Sequence, residues 1–107
     1  MDHGSKSIQL VGRIAIDLEH RNEFLDRTTE LCNLTNSIEC PPLFQCCEDI
    51  SAPGHFLFYE IWSTQEVLEA HFLTEHFLAW NRWVTGKTVS QPEIRIGPME
   101  VTTLLAS

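Results

Sequence analysis

The sequence has few basic residues. Against 15 Asp and Glu it carries only 7 Lys and Arg, which gives a formal net charge of -8. Nucleic acids and anionic membranes both select a basic face, so we expect neither as a partner. No apolar run approaches the roughly 20 residues that a membrane-spanning helix needs. The start, MDHGSKS, lacks the apolar segment of a signal peptide, and we therefore expect a cytoplasmic protein.

The cysteines are not arranged as a redox or zinc motif. The chain has Cys32, Cys40, Cys46 and Cys47, and no C-x-x-C occurs. Free thiols are the expected state in a reducing cytoplasm. A strand would point the adjacent Cys46 and Cys47 to opposite faces. Because nothing nearby in sequence supplies a base, we interpret these two as small buried hydrophobes rather than nucleophiles.

A change of hydrophobic period marks residues 55–84, HFLFYEIWSTQEVLEAHFLTEHFLAWNRWV. His55–Trp62 has the composition of a buried strand, with one carboxylate, Glu60, inside the apolar run. Ser63 and Glu66 then have the spacing of a capping box, which predicts the start of an amphipathic helix. Thr74 offers a second N-cap, so we expect this helix to break and restart there.

The remaining elements follow from alternation and turn residues. We predict a flexible tail over residues 1–6, a first strand over Ser7–Asp17 and a helix over Leu18–Asn36 that is capped by Asp17. A second strand is predicted over Leu43–Ile50 and a last strand over Glu93–Thr102. The order β-α-β-β-α-β predicts an α+β, ferredoxin-like domain over residues 7–107, with an antiparallel sheet and both helices on one face. Pro98 favours an edge position for the last strand, whose apolar end suits addition to a partner's sheet.

The strand at His55 is apolar on both sides, which predicts a homodimer. Phe56 and Phe58 would point to one side, and Leu57, Tyr59 and Ile61 to the other. Two helices cover only one face of the sheet, so the other face is expected to be buried against a second subunit.

Two short motifs resemble a known family. They are Tyr59-Glu60-x-Trp62 and Glu69-Ala70-His71-x-x-Thr74-x-His76-Phe77. Together they are similar to the signature of the antibiotic biosynthesis monooxygenase family of small dimeric α/β-barrel proteins. The resemblance implies a ferredoxin-like monomer, a homodimer made by packing two sheets, and a small hydrophobic pocket in each subunit. Family members include cofactor-independent oxygenases of quinols and anthrones, haem-degrading enzymes and isomerases of small metabolites.

The chain departs from the family pattern at two places. Many members carry a Pro-Gly-x turn where this sequence has Cys40-Pro41-Pro42, so the mouth of the pocket is expected to differ. The haem-degrading branch needs an Asn, a Trp and a His near the positions of Gly12, His71 and Asn81 here. None of the three fits, which disfavours haem degradation.

The resemblance also implies site residues. It places Trp62 and Arg82 in a pocket that assists oxygenation without metal or flavin, with Arg82 as the charge stabiliser. An aromatic set with one amide is expected to line the pocket together with Trp62: Phe58, Phe72, Phe77, Trp80 and Asn81. A small hydrophobic or aromatic molecule would suit such walls.

Two roles, one catalytic and one structural, are open for each of Glu60 and His71. A buried carboxylate such as Glu60 either pairs with a neighbour or takes a raised pKa, and it then acts as a catalytic group or as a structural ion pair. His71 is either the general base of the pocket or a brace for the helix break. His76 is interpreted as a partly exposed structural residue.

The sequence gives no metal site. His71 and His76 are five residues apart, about 140° around a helix, so they are not the i, i+4 pair of a zinc helix. Without an evident third ligand, we expect neither metal nor another cofactor.

Three functions stay open. The first is a cofactor-independent monooxygenase of a small aromatic such as a quinol, with His71 as base, Arg82 as charge stabiliser and Trp62 as wall. The second is an isomerase of a small metabolite that moves a proton with His71 and Glu60. The third is a dimeric small-molecule binding protein without turnover.

Overall fold

The computed structural model describes residues 7–99, which form one antiparallel sheet covered by helices. In chain order the elements are β1 (Ile8–Ala15), α1 (Arg21–Leu34), β2 (Leu43–Glu48), β3 (His55–Trp62), α2 (Gln65–His71), α3 (Glu75–Val84) and β4 (Glu93–Pro98). The predicted ferredoxin-like order is confirmed, with the second helix divided into α2 and α3. No helix within residues 7–99 is both long and apolar enough to cross a membrane.

The sheet has the strand order β2-β3-β1-β4. β3 lies between β2 and β1, with Leu10 opposite Glu60 and Gly12 opposite Phe58. β4 pairs only with β1 among the described strands and is therefore at an edge, as Pro98 predicted. The segment proposed to join a partner's sheet, residues 101–106, lies outside the described residues.

Alternation along β3 fixes which side chains reach the core. Phe56, Phe58, Glu60 and Trp62 are buried on the face that the helices cover, while Leu57 is exposed on the opposite face. Around them lie apolar residues from every layer of the fold: Leu10, Ile14, Phe24, Leu31, Phe44 and Leu68. The aromatic rings of this core meet edge to face, which is the arrangement that their quadrupoles favour.

The cysteines follow the predicted pattern except in burial: Cys46 is half-buried, but Cys47 is exposed, because it lies on the face of the sheet that the helices do not cover. All four are free thiols, and Cys46 and Cys47 pair with Phe58 and Leu57, respectively, on opposite faces of the sheet. Burial raises the pKa of Cys32 to about 11 and raises that of Cys46 as well. Neither thiol is therefore a nucleophile at neutral pH.

The helices that follow β1 and β3 are capped differently in the structure from what the sequence predicts. Asp17 makes no side-chain cap, because a 3₁₀ turn at Leu18–His20 precedes α1. At the start of α2 the cap is Thr64, whose Oγ1 accepts a hydrogen bond from the Val67 N–H at 3.1 Å. Ser63 lies one residue outside the helix, so the predicted capping box with Glu66 is wrong by one position.

The break between α2 and α3 occurs where it was predicted. Thr74 caps α3 by accepting from the Phe77 N–H at 3.3 Å, and its own hydroxyl donates to the His71 carbonyl at 2.8 Å. The same residue thus ends α2 and begins α3.

The assignment of Thr64 as the N-cap of α2 predicts different stability changes for substitutions at Thr64 and at Ser63. Thr64→Ala should lower the free energy of unfolding by about 1 kcal/mol, because the Val67 N–H loses its acceptor. Ser63→Ala should change it by less than about 0.5 kcal/mol, as expected of a surface site without such a bond. Urea unfolding of both variants checks this, and a larger effect at Ser63 would contradict the assignment.

Candidate functional site

A small cavity lies between the sheet and the helices. Its volume is about 80 Å³. The walls are mostly apolar and aromatic and include Leu10, Phe44, Phe58, Phe72, Phe77 and Trp80. Gly12 contributes to the space, because a Cβ added there would make only ordinary van der Waals contacts, with Leu10 and Phe58 at 3.6 Å and the Glu93 carbonyl oxygen at 4.0 Å. A side chain larger than that of alanine at position 12 would therefore begin to fill the cavity.

Trp80 is held in the wall by a polar contact. Its indole Nε1 donates to the Thr28 Oγ1 on α1 at 3.0 Å, while its ring packs against Phe58 at 5.5 Å between centroids. Because Thr28 is buried, this bond satisfies both polar groups and fixes the angle of the indole against the cavity.

Glu60 is the buried carboxylate on this wall. Its side chain reaches the cavity from the middle of β3, and the residue is only 5% exposed. Burial raises the pKa of its carboxyl from 4.5 to about 7, a hydrogen bond from Trp62 opposes the rise, and the nearby charge of Glu39 adds to it. In that bond Trp62 Nε1 donates to Glu60 Oε1 at 2.9 Å. The cavity thus contains a carboxyl group that changes protonation near neutral pH.

The pKa of Glu60 predicts how stability depends on pH. The folded state holds this proton more tightly than the unfolded chain, so the contribution is fully present below pH 4.5 and is lost as pH rises through about 7. The rise corresponds to roughly 3 kcal/mol. We expect Glu60→Gln, which keeps an acceptor for Trp62, to remove this part of the pH dependence. Urea unfolding of both proteins between pH 4 and 8 measures the difference, and parallel curves would contradict it.

His71 lies behind the wall of the cavity and not on it. The side chain is 1% exposed, and its ring packs against Trp62, Phe77 and Phe44 at centroid distances of 4.7, 5.1 and 5.3 Å. Burial lowers the pKa of His71, and the hydrogen bond to Glu39 opposes that change. Its backbone carbonyl accepts from Thr74. This placement is that of the predicted brace for the helix break.

Glu39 joins the two histidines and was missed in the sequence. His71 Nδ1 lies 3.0 and 3.1 Å from the two carboxylate oxygens of Glu39, and His76 Nε2 lies 2.5 Å from one of them. One nitrogen of each imidazole and a carboxylate oxygen all lie within 4.8 Å of one another. The three residues have the donor atoms that could hold a metal ion.

A π-helical turn brings Glu39 to this position. The turn, Thr35–Glu39, continues α1 and ends at Cys40, which adopts a left-handed conformation with φ of 52°. Such turns are rare and frequently occur at functional sites. No residue spacing predicted this contact, since Glu39 and His71 are 32 positions apart.

The structure does not bring every predicted site residue to the cavity. Phe58, Phe72, Phe77 and Trp80 line it, as described above. Trp62 is fully buried behind Glu60 and orients that carboxylate instead of forming the wall. The other two predicted residues, Asn81 and Arg82, are exposed on α3. They follow Trp80 by about 100° and 200° around the helix, so they point away from the face that Trp80 presents to the cavity.

Comparisons with known proteins agree with this fold. Residues 7–83 match the family model described as antibiotic biosynthesis monooxygenase. A conserved protein from Methanosarcina mazei Go1 superposes with a TM-score of 0.82 at 19% identity, covering 89% of this chain and 94% of that one. A structure named antibiotic biosynthesis monooxygenase superposes with a TM-score of 0.79 at 23% identity, with coverages of 90% and 99%.

A third solved structure is equally similar. A candidate antibiotic biosynthesis monooxygenase from Caulobacter crescentus CB15 has a TM-score of 0.84 at 16% identity, covering 91% of this chain and 92% of its own. At these identities the likeness concerns the fold. No curated protein matches the sequence.

Proposed function

The chain belongs to the antibiotic biosynthesis monooxygenase family, and from that premise we propose that it oxygenates a small, electron-rich aromatic molecule such as a quinol. Family membership supports a monooxygenase-like function. The observation that carries the substrate class is Glu60, a buried carboxyl group with a pKa of about 7 on the wall of an aromatic cavity. A general base is most effective when its pKa lies near the working pH.

In this reaction the substrate supplies the electrons. Glu60 removes a proton from a phenol or enol, and the resulting anion is electron-rich enough to reduce O₂. When one ring C–H of a quinol becomes C–OH and the ring is oxidised to the quinone, the substrate loses four electrons, one oxygen atom enters the product, and the other leaves as water. The balance needs no external reductant. The chain contributes the base, the aromatic walls and the exclusion of water, which keeps the reactive anion from protonation by solvent.

The size of the cavity favours a substrate with a single ring. At about 80 Å³ it is smaller than the roughly 150 Å³ apolar cavity that accepts benzene. Even one ring would require the wall residues to move outward by a small amount. A three-ring anthrone would require a much larger opening, so we propose a monocyclic quinol.

Oxygen uptake tests the proposal. The purified protein should consume O₂ with a monocyclic quinol faster than with an anthrone of three rings, and ¹⁸O₂ should label the product with one atom. Gly12→Val, which fills part of the cavity, should lower uptake, while Gly97→Ala on β4 should not, because a Cβ there meets nothing within 4 Å. Absence of uptake with every quinol tried would refute the proposal.

Isomerisation of a small metabolite is the second candidate, and Glu60 also supports it. A carboxyl group with a pKa near 7 can take a proton from one carbon and return it to another. Turnover that continues without oxygen would favour this function. Melting shifts with ligand but no turnover would favour a binding protein instead.

We also propose that two chains form a homodimer through the helix-free face of the sheet. This face carries partly or fully exposed apolar side chains from three strands, which we call the helix-free patch: Val11, Leu43, Leu57, Tyr59 and Ile61. Contiguous apolar surface of this kind marks an interaction site, and a symmetric pair of sheets would cover it on both subunits at once.

A further inference from the structure

The cluster of Glu39, His71 and His76 is not used by the proposed oxygenation. It joins three places that are distant in sequence: the π-helical turn after α1, the end of α2 and the first turn of α3. Its side chains are 13%, 1% and 9% exposed, so three polar groups meet with little water. Two imidazoles and one carboxylate are the ligands of many zinc and non-haem iron sites.

The far nitrogen of His71 bears on which tautomer the imidazole adopts. Nε2 is buried and has no hydrogen-bond partner among the described residues. Four aromatic rings surround the imidazole, those of Phe44, Trp62, Phe72 and Phe77. Aromatic faces are electron-rich, so they disfavour a bare lone pair on Nε2 and accommodate an N–H group.

An N–H group at Nε2 leaves a lone pair on Nδ1. That lone pair then faces the carboxylate oxygens of Glu39 at 3.0 and 3.1 Å, an arrangement that is repulsive unless a cation lies between them. That cation is either a second proton on Nδ1 or a metal ion. A metal ion satisfies Nδ1 and the carboxylate together and leaves the proton on Nε2.

The donor atoms of the cluster all lie within 4.8 Å of one another, which is near enough for one metal ion to reach all three after small adjustments. With ligands at about 2.0–2.1 Å, neighbouring donors of a tetrahedral ion lie about 3.3 Å apart. The His71–Glu39 pair needs almost no change, and the His76–Glu39 pair must open from 2.5 Å. His76 borders a surface groove of about 410 Å³ that also contains Glu30, Glu75 and Arg27, whose guanidinium is paired with Glu23. These carboxylates and the net charge of -8 would attract a cation to this entrance.

We propose that Glu39, His71 and His76 bind one divalent transition-metal ion of the zinc type, through His71 Nδ1, His76 Nε2 and the carboxylate, with solvent at the fourth position. The ion ties the break between α2 and α3 to the end of α1. Zinc needs no redox partner there and suits mixed nitrogen and oxygen ligands. The proposal does not rest on the oxygenation chemistry at Glu60, although the charge of Glu39 acts on the Glu60 carboxyl.

Titration calorimetry and cobalt substitution test the proposal on the chelator-treated protein. We expect one Zn²⁺ per chain with a Kd in the micromolar range or below, and Co²⁺ should give the intense visible bands of a four-coordinate site. His76→Ala and Glu39→Gln should each weaken binding at least 10-fold. His55→Ala, an exposed histidine on β3, and Cys40→Ser, the thiol beside Glu39, should leave it unchanged.

A measurement on the unaltered chain covers the case in which a variant fails to fold. In nitrogen-detected NMR, Zn²⁺ should shift the imidazole signals of His71 and His76 but not those of His20 and His55. The proposal is overturned by no binding at millimolar Zn²⁺, by shifts confined to other histidines, or by affinity that is unchanged in both folded ligand variants.

Discussion

Replacing Glu60 by glutamine is expected to lower kcat with a monocyclic quinol by about 100-fold or more, which is the usual contribution of a general base. Glutamine has nearly the same shape and still accepts a hydrogen bond from Trp62 Nε1, so the cavity and its walls should be retained. Only the ability to take a proton is removed. Steady-state oxygen uptake measures the change, and circular dichroism confirms that the variant is folded.

The pH profile separates a catalytic role of Glu60 from a structural one. In the unaltered protein activity should rise with pH through about 7, because the carboxyl group acts as a base only after it loses its proton. The residual activity of the glutamine variant should lack that step. Glu69→Gln, which changes an exposed carboxylate on α2, should keep both the rate and the step. A glutamine variant with full activity and the same profile would assign the base to another group.

Much of this site was accessible from the sequence, because it depends on local periodicity. The alternation of β3 placed Phe58 and Glu60 on the helix side, and the second cap at Thr74 marked the division of the helix. Successive side chains of a strand point to opposite faces of the sheet, so once the strand is recognised each of its side chains can be assigned to one face. The alternation also placed the Glu60 carboxyl in the core, but whether it would pair with a neighbour or take a raised pKa depended on its surroundings in the folded chain.

The rest depends on angles and distant contacts that no spacing encodes. Successive residues of a helix are about 100° apart around its axis. Trp80 faces the cavity, so Arg82, two residues later, points away from it, although the family resemblance implies a place in the pocket. The contact between Glu39 and His71 is even harder to predict from the sequence, because it requires the π-helical turn and the left-handed conformation of Cys40. The third ligand thus appears only when the chain is folded.

Replacing Leu57 by aspartate is expected to convert the homodimer into a monomer or unfold it. Leu57 is 39% exposed in the single chain and lies in the helix-free patch, opposite Arg13 on β1. Burying a side chain of this size contributes roughly 1.5–3 kcal/mol, and symmetry doubles the contribution. The aspartate loses that contribution and also brings two carboxylates into the interface, where taking each charge out of water costs several kcal/mol that pairing with Arg13 offsets only in part.

Light scattering at micromolar concentration distinguishes the outcomes. The unaltered protein should have twice the chain mass of 12.3 kDa, and the Leu57→Asp variant should have the chain mass or lose its cooperative melting transition. Leu73→Asp is the matched control, because this leucine is 76% exposed at the break between α2 and α3, away from the patch. It should stay dimeric. An unaltered chain that is monomeric and well folded would contradict the proposed interface. A dimer that Leu57→Asp leaves intact would place the contact on another surface.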